Sequence, residues 1–155
     1  MIDLLYQLKY NVLIKKRGGV TMSTQNFKQT IEQAAKKIGI DLIGFASKKR
    51  FEGIDAQHNP FSIFPEGKTV IMVGKRICRG TLRGIEEGTN FGDYNRFGKN
   101  WLEDEFLAVA CYDLVSVLED NGWEACPLFP NPSELGPQGV SVAEGRPAPN
   151  VYPDF

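Results

Sequence analysis

The sequence predicts a layered domain of the α/β or α+β class, and three observations carry that reading. A helix-length apolar pattern near residue 24 is followed by two short apolar runs, a second helix-length pattern near residue 100, and a third short run. Helices and strands in this order bury their apolar faces as stacked layers around one core. With 155 residues, 42% hydrophobic and 24% charged, the composition is that of one ordinary globular domain and excludes a collagenous or low-complexity chain.

The first helix is justified by Phe27, Ile31, Ala34, Ala35 and Ile38, which recur at helical spacing, with Ser23 or Thr24 placed to cap it and Gly39 to stop it. Residues 41–47 form a short apolar run, and residues 69–77 a longer one rich in branched side chains, so both are read as strands. Pro60, Pro65 and Gly67 mark turns between them. The second helix is expected over about residues 100–121, with Leu102, Phe106, Ala110, Leu114, Val117 and Leu118 on one face and Gly122 just beyond. Glu103, Asp104 and Glu105 then fall in its first turn, where the macrodipole favours negative charge. Residues 123–129 read as the third strand, which makes residues 22–126 the domain core.

Both ends depart from this pattern. In residues 1–21, Leu4, Leu5, Leu8 and Val12 make at most one short helical stripe, which Arg17-Gly18-Gly19 breaks. The segment is expected to be an extension foreign to the fold, with Met22 as the natural start and folding unchanged by its deletion; the competing reading is a short anchor or partner helix. Residues 127–155 hold seven of the nine prolines and no sustained apolar period, and are expected to be an extended tail of the same domain, cut short before the elements that pack over it.

Charge is distributed unevenly. The net charge is −1, yet from residue 100 onward ten acids face Arg146 alone, so an anionic partner is expected to meet residues 68–99. Cys78, Cys111 and Cys126 are odd in number and lack Cys-x-x-Cys spacing, which encodes neither a disulfide framework nor a cluster site and points to the cytoplasm. His58 is the single histidine, in a turn-like Asn59-Pro60 context without neighbouring ligands. No run of 18 apolar residues is present, so no membrane partner is expected.

Two motif readings fail on spacing. Gly67-Lys68-Thr69 has the end of a phosphate-binding loop, but Ser62 stands where its first glycine belongs and the triplet precedes a strand instead of following one. No Gly-x-Ser-x-Gly elbow is present. The segment that reads as a site is residues 75–101, where Gly80, Gly84, Gly88 and Gly92 alternate with Arg76, Arg79 and Arg83 and lead into Asn90-Phe91-Gly92-Asp93-Tyr94-Asn95-Arg96-Phe97. Glycine allows close backbone approach, arginine holds anions, and aromatic rings offer stacking faces.

Three blocks resemble the N-terminal domain of the epoxyqueuosine reductase and reductive-dehalogenase-like family: residues 38–46 (Ile-Gly-Ile-Asp-Leu-Ile-Gly-Phe-Ala), the strand and glycine run through Gly92-Asp93-Tyr94, and residues 145–155 (Gly-Arg-Pro-Ala-Pro-Asn-Val-Tyr-Pro-Asp-Phe). The resemblance spans about residues 24–155 and implies a cobalamin-binding domain of nitroreductase-like fold. It also implies a downstream ferredoxin-type domain whose [4Fe–4S] clusters, or another electron donor, feed the corrin cobalt. The substrate that the resemblance implies is a modified base in tRNA or a small electrophile such as an organohalide. Tyr94 and Asp154 are the catalytic candidates, and Gly84, Gly88, Gly92, Asp93, Arg76 and Arg83 the cofactor-binding ones. The chain departs from the family at Asn95, where a histidine is usual, and in lacking a Gly-Leu-Gly loop and cluster cysteines, so it is expected to be a front piece inactive by itself. Two alternatives remain open: a flavin-binding nitroreductase-like protein, and a non-catalytic module that docks residues 127–155 onto a partner.

Overall fold

The computed structural model describes residues 6–16, 24–56 and 59–128. Its first element corrects the reading of the N-terminus. Tyr6–Lys16 is a strand, β1, and it occupies the interior of the sheet. Val12 and Leu13 are fully buried and Ile14 nearly so, which a foreign extension would not achieve. Two residues of one strand separated by a single position face the same side of a sheet, so Val12 and Ile14 join one core and Leu13 the other.

The remaining elements are α1 (Thr24–Lys37), β2 (Leu42–Ser47), β3 (Thr69–Arg76), α2 (Arg79–Glu86), α3 (Ala108–Asp120) and β4 (Trp123–Leu128). The described residues therefore form an α+β mix with a four-stranded antiparallel sheet in the order β2-β3-β1-β4. α1 ends in Lys36 and Lys37, whose charges suit the helix C-terminus, and Gly39 at φ +85° turns the chain toward β2. Ile43 and Phe45 on β2, Ile71 and Val73 on β3, and Ala125 on β4 meet α1 and α3 on one face of the sheet. The opposite face, with Leu13, Val70 and Leu128, is covered by the connection from β2 to β3 through Phe51, Phe61 and Phe64. Asn59 shapes that connection: its side chain accepts from the Phe61 N–H at 3.0 Å and donates to the Phe51 carbonyl at 3.2 Å.

The second long helix also differs from expectation. Helical backbone runs without a break from residue 92 to residue 120, and Tyr94–Asn100 and Leu102–Leu107 are π-helical. Glu103, Asp104 and Glu105 therefore lie inside the helical run, and the macrodipole argument for them lapses. The winding has a packing cause. With α-helical spacing, Glu103 and Asp104 would lie over Leu107 on the buried stripe. The wider π turn brings Leu102 there instead, leaves Leu102 and Leu107 buried, and turns Phe106 outward to 39% exposure.

Cys111 sits in the core between the sheet and α3. Burial pushes its thiol up to about 12 from an ordinary 9, with Cys126 adding to the shift. The unfolded chain ionises this thiol near pH 9 whereas the folded protein keeps the proton until about 12, so stability is undiminished below pH 9 and falls as pH rises through that window. At pH 8 a thiol-specific disulfide reagent is expected to modify exposed Cys78 quickly and Cys111 only after denaturation. Rapid labelling of Cys111 in the folded protein would contradict this packing.

Candidate functional site

The glycine run contains the helix α2. α2 has no buried residue, and it is tied by Arg79–Glu86 at 2.6 Å and Arg83–Glu87 at 2.7 Å. Its end folds back on itself: the Thr89 and Asn90 N–H groups both donate to the Gly84 carbonyl, at 2.8 and 3.1 Å. A Cβ on Gly84 would stand 2.1 Å from the Asn90 oxygen, so glycine is required there by backbone against backbone. Gly88 adopts φ +69° just past the helix, and Gly92 donates its N–H to the Asn90 side-chain oxygen at 2.8 Å. The Asn90 amide then donates to Asp93 Oδ2 at 2.9 Å. Gly84, Gly88, Gly92 and Asp93 thus each have a role in closing this turn, and Arg83 is held by Glu87.

The closed turn delivers the chain into the π-helical run, which carries the aromatic groups. π-helical turns are rare and recur at functional sites. The half-buried Tyr94 ring meets Phe91 edge-on at 6.0 Å and rests on Gly98, where a Cβ would come within 2.6 Å of it. The Tyr94 hydroxyl has no hydrogen-bond partner among the described residues. Trp101 takes Phe97 edge-on at 5.1 Å and the Arg96 guanidinium at 5.2 Å.

A cavity of about 490 Å³ lies where this run meets the ends of β2 and β3. Phe97, Leu102 and Phe106 form its apolar wall, and Asp41, Lys75, Arg76, Cys78 and Thr81 its polar one. Asp41 accepts from the Arg76 N–H at 3.0 Å and pairs with the Arg76 guanidinium at 3.5 Å. Lys75 donates to the Gly39 carbonyl at 2.5 Å. Thr81 donates its hydroxyl to the Cys78 carbonyl at 2.6 Å and keeps its oxygen available as an acceptor.

Of the residues singled out in the sequence, Arg76 lines the cavity directly, while Tyr94 shares the π-helical run with Phe97. Tyr94, Gly84, Gly88, Gly92, Asp93 and Arg83 are not part of its wall. Asp154 and His58 lie outside the described residues. Sequence reading missed Asp41, Leu102 and Phe106 as lining groups. Asp41 could have been found from its place at the start of a strand beside the residue 75 end of its neighbour, whereas Phe106 depends on the π winding. Among the described residues no three His, Cys, Asp or Glu side chains converge as a metal site, and no helix is long and apolar enough to cross a membrane. No family model, curated protein or solved structure matches the chain.

Proposed function

We propose that this chain is the corrin-binding part of a cobalamin-dependent iron–sulfur reductase of the epoxyqueuosine reductase and reductive dehalogenase type, with a nitroreductase-like fold. One observation supports the reading above the others: two of the three blocks that carry the resemblance meet at one cavity. Gly39 and Asp41 come from the first block, and Lys75, Arg76, Cys78 and Thr81 from the second. The donor set fits an apolar macrocycle fringed with amides. Asp41 and Thr81 accept amide N–H groups, Arg76 donates to amide carbonyls, and Phe97, Leu102 and Phe106 offer an apolar wall. At about 490 Å³ the cavity has the size of a drug-sized ligand's site, so it holds one edge of a corrin.

When bound, a corrin cobalt supplies low-potential electrons for opening a carbon–heteroatom bond. The chain's own contribution is to orient and to supply a proton. Arg76 is held in place by Asp41, and the Tyr94 hydroxyl, on the π-helical run of Phe97 but outside the cavity wall, would supply the proton to a developing anion in this reading. The substrate class is a modified base in tRNA or an organohalide, with electrons from a ferredoxin-type domain.

The test is absorbance of the full chain with hydroxocobalamin and, separately, with flavin mononucleotide, before and after desalting. A saturable shift of the corrin bands that weakens in Arg76→Ala is the expected result. Retention of flavin with an unchanged corrin spectrum would replace this reading with a flavin-binding one.

A further inference from the structure

At the other end of the sheet lies a second cavity, also about 490 Å³. Thr69 lines this one and Arg76 the first, and they are the two ends of β3, so the cavities stand roughly 23 Å apart at strand rise. Its walls are aromatic. Phe27 of α1 and Trp123 of β4 stack with centroids 4.1 Å apart and planes 21° from parallel. Phe45 of β2 carries the Lys28 ammonium 5.5 Å above its ring. Ile14 of β1 and the hydroxyl residues Ser47 and Thr69, paired across β2 and β3, complete the lining, and neither hydroxyl has a hydrogen-bond partner among the described residues.

We propose that this cavity binds a planar aromatic carboxylate. The ring extends the Phe27–Trp123 stack, and the carboxylate meets Lys28 with the Ser47 and Thr69 hydroxyls as further donors. Aromatic walls favour a flat ring over an aliphatic chain of equal volume, through offset stacking in addition to area. One ammonium at the mouth selects an anion, because charge-assisted hydrogen bonds are about twice as strong as neutral ones. Besides the Phe45 ring, Lys28 has an exposed contact with Glu32 at 3.6 Å, which an incoming carboxylate displaces at little cost. Nothing in this assignment depends on the corrin reading, since the two cavities share no lining residue.

Calorimetric titration of the full chain with trans-cinnamate and with its neutral isostere cinnamyl alcohol tests the assignment. Cinnamate is expected to bind saturably and roughly tenfold more tightly than the alcohol, and Lys28→Met to erase that difference by weakening cinnamate alone. Glu32→Gln is expected to tighten cinnamate, because it removes the competing carboxylate. Both substitutions are at exposed or half-exposed positions of α1 and leave the core untouched, so the variants fold. Absence of saturable heat with cinnamate overturns the proposal. So does equal affinity for acid and alcohol in the parent protein, or cinnamate binding that survives Lys28→Met undiminished.

Discussion

Deleting residues 1–16 is expected to abolish cooperative unfolding. β1 pairs with β3 on one side and β4 on the other, so its loss leaves two strand edges unpaired and opens both cores at once. Val12, Leu13 and Ile14 alone bury side chains worth on the order of 5–9 kcal/mol together. A whole domain is stable by only ~5–15 kcal/mol. The milder substitution Leu13→Ala should cost roughly 2–5 kcal/mol through lost burial and the cavity left behind. For a chain of this length that lowers the midpoint by about 2–4 °C per kcal/mol. Thermal denaturation followed by circular dichroism measures both, and a deletion variant that melts like the parent would show that β1 is not part of the sheet in solution.

The second large effect is expected at Gly84. Alanine there should raise helix propensity by about 1 kcal/mol. Its methyl, however, would stand 2.1 Å from the Asn90 oxygen, and a backbone atom cannot swing aside as a flexible side chain can. The net result is a loss of roughly 1–3 kcal/mol, the usual cost of overpacking. Gly80 is the control, because a Cβ there meets nothing within 4 Å, so Gly80→Ala should be neutral or stabilising. Opposite signs for two glycines of the same helix identify Gly84 as a packing residue of the turn. Equal tolerance at both would return it to the pool of ligand-cradling positions.

Much of the layered α+β fold was legible in the chain, because α1, β2, β3 and β4 are local patterns with local stops. Gly39 and Gly122, both at positive φ, end helices where the sequence placed their ends. β1 was also legible, and by a different period from the one applied to it. Tyr6, Leu8, Tyr10, Val12 and Ile14 alternate with Gln7, Lys9, Asn11 and Lys15, which is the two-residue period of a strand, broken at Leu13 alone. Spacing Leu4, Leu5, Leu8 and Val12 as a helix hid it.

The site divides in the same way. Residue types alone marked residues 75–101 as chemically unusual, and Arg76 does line a cavity there. What the sequence by itself determined is the set of local elements, since periodicity, caps and turn residues act over a few positions. Only the tertiary structure decided that β1 lies inside the sheet, that Gly84 serves Asn90, and that Phe106 faces outward while Leu102 faces in. Strand order and the choice between α and π winding are set by which partners compete for the same buried surface, and those partners lie far apart along the chain.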